Sequence, residues 1–60
     1  MYDKFVELLQ KNNLTSYQVS KKTGISQSTL SDWKNGKSKP KVDKLFILAK
    51  YFGVTIEYFL

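Results

Sequence analysis

A stripe of short polar side chains runs through the middle of the sequence at helical spacing. Each member carries a hydrogen-bonding group and none is a long cation: Gln27, Ser28, Ser31, Asp32 and Asn35. A glutamine amide can pair with adenine, a carboxylate can accept from the amino group of cytosine, and a serine hydroxyl can do either. This pattern therefore suits the edges of base pairs, and we take Gln27, Ser28, Ser31 and Asp32 as candidate base-reading residues.

A cluster of lysines follows this stripe. Four of the ten lysines in the chain lie within eight residues that contain no acid, at positions 34, 37, 39 and 41. With five acids the net charge is +5, which favours a polyanionic partner, most commonly nucleic acid. Because the chain has no arginine, guanine cannot be read by a planar guanidinium fork. A merely solvated loop remains an alternative for the lysines, as does an ordinary polar surface for the stripe.

The composition argues against catalysis and against a metal site. The chain has no histidine, no cysteine and only scattered carboxylates, and sixty residues leave little room for a pocket. We therefore expect neither an enzyme nor a cofactor. No apolar run approaches the ~20 residues that span a bilayer, and the first ten residues mix charges with apolar side chains. We expect a cytoplasmic protein without a membrane partner.

Capping signals predict a short helix over residues 16–22. Thr15 is a good N-cap, and Gln18, three residues later, completes a capping box. Gly24 can adopt the left-handed conformation that ends a helix. This helix is expected to precede a second one after a tight turn.

The second helix carries the polar stripe. Ser26 is its N-cap and Gly36 follows its end, so we expect it to extend over about Gln27 to Asn35. Two short helices separated by a three-residue turn, here 23–25, form a helix-turn-helix unit. The core of this unit is expected at about 15–36.

Internal apolar residues decide which side of the second helix is bare. Val19, Ile25, Leu30 and Trp33 occupy positions that would hold the two helices together. If they turn inward, the side that carries the polar stripe faces outward. Core packing is also the favoured role for Trp33, ahead of base stacking.

Periodicity predicts three further helices and no strand. The first runs from about Tyr2 to Asn12, the fourth is marked by apolar positions from Val42 to Phe52 and stops at Gly53, and the fifth has Thr55 as its cap. The expected fold is therefore all-α, a compact five-helix domain over residues 1–60.

The segment from Leu14 to Lys37 resembles the Cro/phage-repressor type of helix-turn-helix domain, also called XRE-like. The most specific parts are GISQSTL at 24–30 and WKNG at 33–36, and the similarity continues through Pro40 to the last residue. The resemblance implies a regulator of transcription that binds duplex DNA through the major groove. It also implies repression through occupation of an operator.

The resemblance assigns phosphate contacts as well. Ser16 matches a position that is often glutamine in such domains and contacts phosphate there, and residues after the recognition helix also touch the backbone. The expected phosphate contacts are Ser16, Tyr17, Lys34, Asn35, Lys37, Ser38 and Lys39.

The last seven residues are mostly apolar or aromatic, and some would be exposed in a monomer. Because this region often forms the two-fold contact of the resembled family, we expect a homodimer on DNA with half-sites ~34 Å apart. The expected interface residues are Ile56, Tyr58, Phe59 and Leu60.

One alternative is an additional C-terminal domain outside this sequence. Another is a protein-interaction module, such as an antitoxin or scaffold domain, that uses the same apolar end. RNA binding is disfavoured because no strand carries aromatic residues.

Overall fold

The computed structural model describes all sixty residues and contains no strand. Four α-helices are followed by one turn of 3₁₀ helix: α1 (Tyr2–Lys11), α2 (Ser16–Thr23), α3 (Gln27–Lys34), α4 (Val42–Phe52) and the 3₁₀ turn (Ile56–Phe59). The predicted all-α class is confirmed, whereas the count of five helices is wrong. None of the helices has the length and apolar character needed to traverse a bilayer.

The fifth predicted helix is instead a 3₁₀ turn, in which each backbone hydrogen bond joins residues three apart rather than four. The amide of Tyr58 donates to the carbonyl of Thr55, and the amide of Leu60 donates to Glu57, both three residues back. The side chain of Thr55 makes no capping hydrogen bond, contrary to the prediction. Short pieces commonly adopt this tighter helix, whose bonds need fewer consecutive residues.

The capping predictions for α2 and α3 are confirmed. The Thr15 hydroxyl accepts from the backbone amide of Gln18, and the Gln18 side chain accepts from the amide of Thr15. The Ser26 hydroxyl accepts from the amide of Thr29 at 3.1 Å. Gly24 is left-handed with φ of 78° and directly follows α2, which is one residue longer than predicted. The turn consequently lies at 24–26.

The core consists of ten buried apolar side chains drawn from every element. Val19, Ile25, Leu30 and Trp33 are between 0% and 5% exposed, which confirms that they turn inward. The Trp33 ring packs edge-on to Tyr2 at 5.3 Å between centroids and lies 5.4 Å from the ring of Phe5. Trp33 therefore attaches α3 to α1.

Candidate nucleic acid interface

The outward side of α3 carries the predicted base-reading residues. Gln27, Ser28 and Ser31 are exposed, whereas Asp32 is half-buried. Leu30 lies on the opposite side and is 2% exposed. The side chain of Asp32 therefore has less freedom to reach a ligand than the other three.

The hydrogen bonds around α3 leave this polar surface unoccupied. The Ser26 hydroxyl caps the first turn by accepting from the amide of Thr29, and it also pairs with the Thr29 hydroxyl at 2.9 Å. None of the side-chain hydrogen bonds of this region uses Gln27, Ser28 or Ser31. Their donors and acceptors are thus free for an external partner.

Three hydroxyl contacts fix the turn before α3. The Thr23 hydroxyl donates to the carbonyl of Val19 at 2.7 Å and accepts from the amide of Ile25 at 3.3 Å. The hydroxyl of Ser20 donates to the carbonyl of Ile25 at 2.6 Å. These bonds join the end of α2 to the turn, so the direction in which α3 starts is determined locally. The capping signals alone did not predict them.

A Schellman motif ends α3 and positions the lysine-rich loop. The amide of Lys37 donates to the carbonyl of Asp32 at 2.9 Å, and the amide of Gly36 donates to Trp33 at 3.2 Å. Gly36 is left-handed with φ of 73°, as this motif requires. The amide of Ser38 also reaches the Asp32 carbonyl, at 3.4 Å. The chain therefore folds back beside the last turn of α3.

The residues proposed for phosphate contact fall into two groups. One group lies at and after the end of α3, and all of its members are exposed: Lys34, Asn35, Lys37, Ser38 and Lys39. The other is the first turn of α2, where Ser16 is half-buried and Tyr17 is 55% exposed. The Lys21 ammonium lies 5.5 Å from the centroid of the Tyr17 ring, so a cation accompanies the phenol. Nothing in the described contacts joins the two groups directly.

A polar groove beside α3 contains two lysines that the predicted contact set leaves out. Its lining residues are Thr29, Ser38, Lys39, Pro40, Lys41, Asp43 and Lys44. Lys44 belongs to the first turn of α4, where its amide bonds to the carbonyl of Lys41. Lys41 and Lys44 lie three residues apart next to the basic loop, and this spacing is the sequence signal that could have revealed both. Asp43 is the one acid at this groove.

The positive charge of this region is not neutralised within the chain. The only salt bridge joins the Met1 ammonium to Asp3 at 2.9 Å. The hydrogen bond from that ammonium, with its charge, lowers the pKa of the Asp3 carboxyl below its usual value. All ten lysine ammonium groups are therefore free of carboxylate partners. Such unpaired cations attract an anion most strongly at low ionic strength.

The predicted dimer residues of the C-terminal segment require a correction. Phe59 is 0% exposed and its ring lies 6.1 Å from that of Trp33, so it belongs to the core and cannot contact a second subunit. Ile56 and Tyr58 are half-buried against the same core. Only Leu60, at 78% exposure, is open. Burial of Phe59 follows from the tight 3₁₀ turn, which directs this ring into the domain.

Comparison with known proteins gives one family match. A family model described as "Helix-turn-helix" matches residues 6–59. This range contains α2, α3 and the turn between them.

Three curated relatives share this similarity. The chain is 33% identical over 58 residues to the HTH-type transcriptional activator BcrR of Enterococcus faecalis, covering 97% of this chain and 28% of that protein. It is 36% identical over 54 residues to the HTH-type transcriptional regulator YobD of Bacillus subtilis, covering 90% and 48%. It is 41% identical over 46 residues to the HTH-type transcriptional regulator MJ0272 of Methanocaldococcus jannaschii, covering 77% and 70%.

The chain thus spans less than half the length of the first two of these relatives. No solved structure matches it.

Proposed function

This chain belongs to the helix-turn-helix family, and we propose on that premise that it binds double-stranded DNA with α3 in the major groove and regulates transcription. The observation that carries the proposal is the bare polar side of α3 next to a loop of unpaired lysines. Gln27, Ser28 and Ser31 are exposed there, and the Schellman motif holds Lys37 beside the end of the same helix.

Affinity in this proposal comes mainly from phosphates. Lys34, Lys37 and Lys39 neutralise the backbone and release counterions, which favours binding to any duplex sequence. The first turn of α2 adds the hydroxyls of Ser16 and Tyr17, together with free backbone amides at a helix N-terminus. These contacts orient the domain but carry no sequence information.

Specificity comes from α3. Gln27 is the best candidate for a bidentate contact, since its amide can donate to and accept from adenine at once. Ser28 and Ser31 add single hydrogen bonds to neighbouring bases. Asp32 is half-buried and carries a carboxylate. It accepts a hydrogen bond from the amino group of cytosine where that base comes close, and it disfavours sequences that place an acceptor there.

The regulatory output we propose is repression by a homodimer on a two-fold operator. Occupying a promoter requires only that the domain bind DNA there, so repression needs no activity beyond the one proposed for α3. BcrR is named an activator and the other two relatives are named regulators. A measurement of promoter activity therefore decides between repression and activation. A promoter–reporter fusion should lose expression when the chain is supplied, and a rise in expression would contradict repression.

The alternative of a protein-interaction module loses much of its basis at the C-terminal segment. Its expected apolar surface is reduced because Phe59 is buried and Ile56 and Tyr58 are half-buried. Leu60 is the one open apolar side chain that remains in this segment.

Selection of preferred sites from random duplexes, repeated at two salt concentrations, tests the proposed function. We expect half-sites with two-fold symmetry, recovered more strongly at the lower salt concentration. The Gln27→Ala variant should recover a more degenerate set from the same library. Failure to enrich any sequence at low salt, with the fold verified by circular dichroism, would contradict the proposal.

A further inference from the structure

The outward side of α4 is unusually apolar for an exposed helix. Val42 is 61% exposed and Phe46 is 56% exposed, while Ile47 and Tyr51 are each 39% exposed. With its buried side included, eight of the eleven residues of α4 are apolar or aromatic. A helix that is apolar nearly all round is normally covered on both sides, and contiguous exposed apolar side chains mark interaction surfaces.

Two opposite charges lie in the middle of this side. Asp43 and Lys50 are seven residues apart, so they fall within about 20° of each other around the helix and about 10 Å apart along it. That separation is too great for a salt bridge within one helix, and neither residue makes one elsewhere. Phe46 and Ile47 flank the line between the two charges.

The arrangement is complementary to itself. Each residue on this side has its opposite number at the same distance from the midpoint between positions 46 and 47. When two copies of α4 are placed antiparallel about that midpoint, Asp43 of each copy lies opposite Lys50 of the other, and Phe46 and Ile47 lie on the two flanks of the line of contact. Such reciprocity is the property of an isologous two-fold contact.

We propose that a second copy of this chain packs on the outward side of α4, with the two helices antiparallel. Phe46 and Ile47 form the apolar centre, and two symmetry-related Asp43–Lys50 ion pairs fix the register. Other registers would oppose like charges or leave the charges against apolar side chains, which is unfavourable.

An apolar groove adjoins the outward side of α4 at its N-terminal end. It has a volume of about 450 Å³ and is lined by Pro40, Val42, Leu45 and Leu60, with Met1, Lys39 and Lys41 at its edge. A stable interface buries on the order of 800 Å² per partner, roughly one fifth of the 4154 Å² surface of this chain. A dimer contact of this size would cover the outward side of α4 and the side chains next to it.

The inference deepens the proposed homodimer by naming its surface, while the association itself does not require DNA. The outward side of α4 includes none of the candidate base-reading residues. Asp43 also lines the polar groove that contains Lys39, whereas Lys50 does not. Lys50→Asp is therefore the variant that separates dimerisation from DNA binding.

Analytical ultracentrifugation without DNA tests the proposal. We expect the mass to rise with concentration from 7.0 kDa towards twice that value. Asp43→Lys and Lys50→Asp should each weaken dimerisation about tenfold, because two-fold symmetry places each substitution at two sites in the interface. The double variant should recover wild-type affinity. Both reversals oppose the dipole of α4, so greater helix stability cannot explain this recovery.

A matched control and a second measurement keep the test independent of folding. Glu57→Lys reverses an exposed charge on the 3₁₀ turn, outside the outward side of α4, and should leave the association unchanged. Because the chain has no cysteine, a variant with Asp43→Cys and Lys50→Cys should oxidise to covalent dimers only if the two positions meet across the interface.

Three outcomes would overturn the inference: a monomer at every concentration, association that ignores the charge reversals, or a double variant that does not recover. A chain that dimerises through α4 yet ignores duplex DNA would overturn the proposed function alone.

Discussion

The hydroxyl of Ser20 lies 2.6 Å from the backbone carbonyl oxygen of Ile25 and donates a hydrogen bond to it. This bond joins α2 to the turn that aims α3, and the pair is partly shielded from water. We expect Ser20→Ala to lower the free energy of unfolding by about 1–2 kcal/mol, since the carbonyl loses its partner. Urea denaturation measures this change. Ser31→Ala, at an exposed serine of α3, should stay within about 0.5 kcal/mol, and equal losses in both variants would contradict the role given to Ser20.

The two valines at positions 19 and 42 offer a matched test of the core. Val19 is 0% exposed, whereas Val42 is 61% exposed. We expect Val19→Ala to cost about 2–3 kcal/mol, because it removes buried methyl groups and leaves a cavity. Val42→Ala should change stability by less than about 0.5 kcal/mol when measured at low protein concentration. Thermal and urea unfolding give both values, and a reversed order would show that α2 is not packed as described.

Gln27 is expected to carry most of the base discrimination. Gln27→Ala should weaken binding to the selected site by about 1–3 kcal/mol, and less at unrelated sequences. Its stability should be unaffected, because the side chain is exposed and makes no intramolecular hydrogen bond. Gln10→Ala on α1 is the matched control. Fluorescence anisotropy with several duplexes measures the changes, and a uniform loss on all sequences would assign Gln27 to the backbone instead.

Lys39 is expected to act without regard to sequence. Lys39→Ala should weaken binding to every duplex alike and reduce the slope of log affinity against log salt by about 0.9. Lys11→Ala removes the same charge from the end of α1 and should leave the slope nearly unchanged. Titrations at four salt concentrations give the slopes. A larger loss at the selected site than elsewhere would instead make Lys39 a base contact.

The features that the sequence predicted correctly depend on residues that lie close together in the chain. The capping box of Thr15 and Gln18 and the N-cap Ser26 involve residues three apart, so the sequence pattern determines them directly. The inward apolar positions of α2 and α3 followed from helical period alone. Gly24 and Gly36 marked the helix ends because both adopt positive φ.

The features that escaped prediction depend on how elements meet. Burial of Phe59 depends on the 3₁₀ turn bringing its ring against Trp33, which no periodicity expresses. Lys44 lies within the range predicted for the fourth helix, and only the fold places it in the groove with Lys39. The exposure of Phe46 depends on which side of α4 the other elements cover, and the sequence pattern does not express this.

The central claim is that the outward side of α3 meets the duplex. A two-dimensional amide NMR titration of the ¹⁵N-labelled chain with a duplex at low ionic strength tests it most directly. We expect the largest shift changes at Gln27, Ser28 and Ser31 and in the loop at 35–39, with residues of α1 little affected. No shift changes under these conditions, or changes confined to α1 and the C-terminal turn, would contradict the claim.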